Sequence, residues 1–171
     1  MRTLILAAVL FLIAVPARAE VILFNGGLIQ KYFKADEPIF ISFNDRVKDG
    51  CLPQPEAIKT TMELGLRRSG LIPTDKQGVA GWTLQIVTAG AEIKSKDKLD
   101  ICHAVVDAKL ILGWSFRDYD NPDEWISLSV PALVQSFFMD VSKPSMQSHI
   151  NESVNMIVKE FTTEILKTVG K

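Results

Sequence analysis

Histidine, cysteine and tyrosine each occur only twice in the 171 residues, and tryptophan three times. Side chains that bind zinc are therefore scarce. Once the cysteines are paired, a zinc site needs both histidines and carboxylates gathered from distant segments, so no metal is expected. The chain also lacks a G-x-S-x-G elbow, a phosphate loop, a dinucleotide fingerprint and an H-E-x-x-H pair, so no cofactor and no motif-borne chemistry are expected. Charge is nearly balanced, with 19 basic against 20 acidic side chains and no basic block. That balance argues against nucleic acid and against an electrostatic grip on anionic lipid. There is no internal repeat or low-complexity linker, and beyond residue 15 no apolar run is long enough to span a bilayer, where roughly twenty residues are needed.

What is present at the start is an address. Arg2 precedes an uninterrupted apolar run over residues 4–15, and Pro16-Ala17-Arg18-Ala19 ends in small residues at an A-x-A site. Residues 1–19 are expected to be a cleaved secretory signal, with no integral span left after cleavage and a single domain over 20–171. The next residue is Glu20 rather than Cys, so lipid attachment there is not expected. Export to the periplasm or beyond makes a disulfide the expected state of Cys51 and Cys102. The rival is a reactive Cys102 served by His103, but neighbours on a strand point to opposite faces.

Residues 101–116 carry the clearest pattern. Cys102, Ala104, Val106, Ala108, Leu110, Leu112, Trp114 and Phe116 form one uncharged alternate series, while His103, Asp107 and Lys109 fall in the other. That period-2 signature predicts a long central strand with Cys102 turned into the core. Shorter strands are predicted from Pro38 to Phe43, Trp82 to Thr88 and Trp125 to Val130. Two helices complete the set. One begins at Pro55 and runs to about Arg68; the other is capped by Ser145 and striped by Ile150, Val154, Ile157, Val158, Phe161 and Ile165. Asn25-Gly26-Gly27 between apolar runs predicts an edge hairpin over residues 20–36, or a mobile arm. Residues 131–140 cannot be assigned by period. Together these elements predict an α+β two-layer sandwich, a mostly antiparallel sheet with two main helices packed on one face. Thr83, Gln85, His103, Asp107 and Lys109 should then lie on the other face.

Candidate chemistry is sparse. His103 and Asp107 share a face but sit about 13 Å apart along the strand, too far for a dyad, and His149 reads as a boundary residue of the last helix. The acidic turn at residues 118–124 departs from the calcium loop, with Pro122 and Asp123 where an acid or amide and a glycine belong. No catalytic residue is assigned. Tyr119 and Trp125, which flank that turn, and His103 on the wetter face are the candidate partner-binding residues.

Two stretches carry a resemblance. Gly50-Cys51-Leu52 leads into Ala57-Ile58-Lys59-Thr60-Thr61-Met62-Glu63-Leu64-Gly65-Leu66-Arg67-Arg68-Ser69-Gly70-Leu71, and Trp82-Thr83-Leu84-Gln85-Ile86 is followed by Ile101-Cys102-His103-Ala104-Val105. These resemble a group of small exported bacterial proteins of unassigned function, over about the middle third to half of the chain. The order of elements is more loosely similar to the lipopolysaccharide-assembly lipoproteins and the curli-secretion lipoprotein family, whose lipidated cysteine this chain lacks. The resemblance implies an envelope accessory fold and transfers no functional residue. The expectation is a periplasmic or secreted non-enzymatic binding or accessory protein with a protein or envelope component as partner. A small hydrolase using sheet-face polar residues and a secreted inhibitor or effector are the alternatives.

Overall fold

In the computed structural model, which describes residues 22–23, 26–34, 36–76, 81–94, 100–121 and 123–170, the alternating stretch around Cys102 is an 18-residue strand, β5 (Asp100–Arg117). Before it come β1 (Ile22–Leu23), α1 (Gly26–Tyr32), β2 (Pro38–Val47), α2 (Glu56–Arg68), β3 (Ile72–Thr74) and β4 (Gly81–Lys94). After it come β6 (Trp125–Ser142) and α3 (Lys143–Thr168). The strands form one sheet in the order β1-β6-β5-β4-β2-β3. β4, β5 and β6 make an antiparallel meander, while β2 runs parallel to both β3 and β4. That parallel edge follows from the connection: the chain leaves β2, crosses the face as α2 and returns beside it as β3. The fold is α+β, as the patterning predicts.

The alternation on β5 has the expected meaning. Cys102, Ala104, Val106, Ala108, Leu110 and Leu112 are buried, while His103 and Lys109 are exposed. Trp82, Leu84 and Ile86 of β4 and Ile39 and Ile41 of β2 extend this buried face. The helices cover it, α2 lying over β2 and α3 over β5 and β6. α2 contributes Ile58, Met62 and Leu66, and α3 contributes Ile150, Val154, Ile157, Val158, Phe161 and Ile165. The two helices approach closely at Gly65, where a Cβ would stand 2.6 Å from Val158 Cγ1. Among the described residues, no helix is long and apolar enough to cross a membrane.

The unassigned stretch 131–140 belongs to β6, and a bulge explains its lost periodicity. Leu110 pairs with Leu133 but Ile111 with Pro131, so Ala132 is extra. Ala132 and Leu133 are consecutive and both fully buried. The inward series therefore switches from even to odd positions, and a period count across the switch cancels. The bulge also admits Pro131 within the strand, since the ladder is interrupted there.

Two expectations are corrected. The segment after Asn25 is a helix rather than the second arm of a hairpin, and it is no loose arm: Ile29 and Phe33, four residues apart, are both buried. Ring contacts of Phe33 with Trp82 (5.6 Å) and Tyr32 with Trp114 (4.7 Å) fix it to the sheet. Burial at i and i+4 outweighs the turn preference of Asn-Gly. Likewise α3 begins at Lys143, with Ser142 at its cap position and a proline in its first turn, where a missing N–H costs nothing. Ser145 lies inside the helix, its Oγ 2.9 Å from that of Ser142. The expected signal segment 1–19 and the charged tip at 95–99 lie outside the described residues.

Cys51 and Cys102 are disulfide-bonded, with a Cα–Cα distance of 5.9 Å, and both are fully buried. The bond ties the loop between β2 and α2 to the start of β5. Beside it Lys143 Nζ lies 3.0 Å from Glu92 Oε2, joining the start of α3 to the end of β4. This hydrogen bond holds the Glu92 carboxyl below its usual range.

Candidate functional site

The sheet face away from the helices carries the polar series, and its two ends differ in character. At the end near the disulfide, His103 Nδ1 donates to Asp140 Oδ1 at 2.5 Å, the two being direct cross-strand neighbours on β5 and β6. Ser136 Oγ donates to Asp107 Oδ1, also at 2.5 Å and also across the ladder. Phe138, paired with Val105, stands 63% exposed between them. The histidine therefore meets an acid, but on the neighbouring strand rather than four residues along its own. Its side chain is 48% exposed and that of Asp140 66%. The nearby hydroxyls are engaged elsewhere, Ser136 with Asp107 and Ser142 with Ser145. Nothing here assembles a nucleophile, a base and an anion-stabilising pocket.

The opposite end is concave. β4 begins at Gly81, opposite Gly113, whereas β5 and β6 continue as a two-stranded hairpin through Arg117 and Trp125. This overhang, the starts of β2 and β4 and the end of β3 border a groove of about 990 Å³. Gly81 and Gly113 leave a stretch of floor without side chains between Thr83 and Gln85 on one side and Ser127 and Ser129 on the other. Phe40 and Trp125 supply aromatic surface, and Glu37 and Lys76 are the charged residues among those that line it. Ser115 and Ser127 face each other with their hydroxyls 2.9 Å apart. Trp125 is 58% exposed at the rim, with the Arg117 guanidinium 5.5 Å from its ring centre.

Of the three candidate partner-binding residues, Trp125 borders this groove. Tyr119 is 96% exposed in the turn beyond it. His103 lies eight positions along β5 from Ile111, about 27 Å away at strand spacing, so it does not join them. His149 is exposed, its Nδ1 2.9 Å from the Ser145 carbonyl oxygen. The acidic turn closes on itself through Asp118 N to Glu124 O and Glu124 N to Asn121 O. Among the described residues, no three His, Cys, Asp or Glu side chains are grouped to hold a metal ion. Alternation alone places Thr83 and Gln85 on this face, and Ser127 and Ser129 follow the same rule. Their convergence with Phe40 depends on strand order, which the sequence does not display.

No protein-family model matches the chain, and no curated protein matches it. Among solved structures it is similar to a PelC dodecamer from Paraburkholderia phytofirmans, at 10% identity and a TM-score of 0.39, covering 86% of this chain and 96% of that one. It is similar to a minor lipoprotein from Acinetobacter baumannii at 9% identity and a TM-score of 0.35, over 74% of this chain and 93% of that one. For rare lipoprotein B from Shewanella oneidensis the values are 6% identity and a TM-score of 0.26, over 77% and 93%. Likenesses at these values carry no inference about site or partner.

Proposed function

We propose that this is an exported, non-enzymatic binding protein that holds an uncharged, hydroxyl-rich ligand, a glycan segment, in the groove beside Trp125. The observation that carries the reading is the groove's mixed lining: serine, threonine and glutamine side chains together with Phe40 and Ile111 around the Gly81–Gly113 stretch of floor, an exposed indole at the rim, and only Glu37 and Lys76 charged. Hydroxyl and amide groups both donate and accept, as sugar hydroxyls do, and an aromatic face packs against the apolar face of a sugar ring. A phosphate-bearing ligand calls for clustered cations, which this lining lacks. The volume, about 990 Å³, lies at the upper end of the range for small-ligand sites. Export is supported by the buried Cys51–Cys102 bond, which suits an oxidising compartment, and by the composition of residues 1–19.

The test is titration of the purified protein with neutral oligosaccharides, followed by calorimetry and tryptophan fluorescence. Binding with a blue shift is expected, weakened about tenfold or more by Trp125→Ala, which is the loss of roughly 1.4 kcal/mol. The reading fails if neutral glycans do not bind, or if binding is indifferent to both Trp125→Ala and Gln85→Ala. Intact mass after secretion should begin at Glu20; a chain retaining residues 1–19 would refute export by signal cleavage.

A further inference from the structure

β6 is paired along its whole length on one side only. β5 accompanies it from Trp125 to Ser142, whereas β1 covers just Leu133 and Val134 on the other side, and among the described residues no other strand neighbours it there. Among the described residues, 135–142 thus form an open edge, with alternate N–H and C=O groups directed away from the sheet. Such edges template the addition of another strand, and proteins blunt them with lysine, proline, bulges or short strands. In β6 those devices all lie in the other half: Pro131, the bulge at Ala132 and then β1. The open half reads Gln135-Ser136-Phe137-Phe138-Met139-Asp140-Val141-Ser142, without lysine, proline or bulge. Its one charge, Asp140, is engaged by His103. At its middle Phe138 is 63% exposed.

We propose that this edge pairs with the same edge of a second copy, antiparallel, about a two-fold axis normal to the sheet at Phe138. The stretch is complementary to itself about that residue. The two Phe138 rings meet on the open face; Phe137 falls opposite Met139 of the second copy, Ser136 opposite its Asp140 and Gln135 opposite its Val141. Aromatic pairs and hydroxyl–carboxylate pairs are favourable cross-strand neighbours, and no like charges meet. Other axes fit less well. An axis at Asp140 juxtaposes two carboxylates, and one at Ser136 drives the second copy into the positions β1 occupies. Only an axis near Phe138 uses most of the interval between β1 and the start of α3. It keeps both helical layers on one side of a continuous sheet, an isologous dimer. The groove lies at the far end of β6 and is left open, so this inference stands independently of the ligand.

Sedimentation velocity and light scattering of the disulfide-bonded protein, from low micromolar to hundred-micromolar concentration, test the dimer. The expected result is a monomer–dimer equilibrium that Phe138→Lys weakens by about tenfold or more, because two ammonium groups become direct neighbours. The exposed position leaves the fold intact, which a thermal melt of the variant checks. Under mild oxidation Phe138→Cys should cross-link to itself, which no other register predicts, and amides over 135–141 should exchange more slowly as concentration rises. A protein monomeric throughout the range overturns the inference, as does one whose edge is slowed in exchange only by a foreign strand. A dimer indifferent to Phe138→Lys and not cross-linked by Phe138→Cys overturns it equally.

Discussion

Reducing the Cys51–Cys102 bond should cost much of the protein's stability while leaving the native packing in place. The two sulfurs are buried and the bond spans a sequence separation of 51 residues. Loop-closure entropy for a ring of that size gives about 4 kcal/mol at room temperature. With a urea dependence of about 2 kcal/mol per molar, the unfolding midpoint should fall by about 2 M. The thermal midpoint should fall by about 8–16 °C for a chain of this size. The assay is paired urea titration of oxidised and fully reduced protein, followed by circular dichroism and tryptophan fluorescence. Reduction leaves both thiols where they are, so no cavity confuses the comparison, as alanine substitution would. Because the bond is enclosed, reductant should act on the native protein only as fast as it opens, and sub-denaturing urea should accelerate the reaction. Equal midpoints for the two forms would refute the entropic reasoning. So would rapid reduction of the native protein, since that requires an accessible bond.

Three further outcomes follow from individual contacts. Gln135 is buried and its Nε2 donates to Glu160 Oε2 at 2.6 Å, while its Oε1 has no partner among the described residues. Glu160→Ala, which strands the whole amide, should cost about 1–3 kcal/mol in urea titration, but Gln135→Leu, which removes it, under about 1 kcal/mol; the reverse order would sink the argument. A Cβ at Gly90 would meet the His103 carbonyl oxygen at 2.3 Å, whereas one at Gly113 finds nothing nearer than 3.6 Å. Gly90→Ala should therefore destabilise by about 1–3 kcal/mol and Gly113→Ala by under about 0.5 kcal/mol in thermal melts. Glu92 has its folded-state pKa lowered by the Lys143 hydrogen bond. Its contribution is present above the unfolded-state value and is lost as pH falls through the folded one, so Lys143→Met should flatten the stability decline between about pH 5 and pH 3; an unchanged slope would count against the pair.

The fold was readable where burial has one period along an element and unreadable where it has two. β5 keeps a single alternation from Cys102 to Leu112, and α3 a single stripe from Ile150 to Ile165, so both are legible from residues alone. β6 carries an alternating series too, but it is buried only from Ala132 to Phe137, and the extra Ala132 inverts its phase at mid-strand. At the chain's start the turn chemistry of Asn25-Gly26 argued locally for a hairpin, while the burial of Ile29 and Phe33 against distant elements decided for a helix. The site follows the same division. Which face Thr83 and Gln85 occupy is a matter of parity, but the pairing of His103 with Asp140 depends on a register set across 37 residues. The parallel placement of β2, which brings Phe40 to the groove, leaves no local mark.

One property of the site follows from the lengths of three elements in the structure. β5 and β6 each have 18 residues, about 60 Å of strand. α3 has 26 residues, about 39 Å of helix. Because α3 starts where β6 ends, it runs back over the sheet from the disulfide end and runs out about 20 Å short of the other. The seven residues of α1 fill part of that shortfall, Tyr32 against Trp114. Beyond it Ile126 and Leu128, which share the helix-side series of β6, are 37% and 48% exposed. The projecting hairpin is thus a consequence of strands outrunning helices, and the groove is the space it overhangs. The disulfide and the Glu92–Lys143 pair lie at the end where the layers are flush, and so hold the core without touching the groove. Shortening β5 and β6 by two residues each at the tip, retaining the turn, should therefore abolish the proposed glycan binding and leave the unfolding free energy from urea titration within about 0.5 kcal/mol of the parent. A large loss of stability would show that the overhang is part of the core instead.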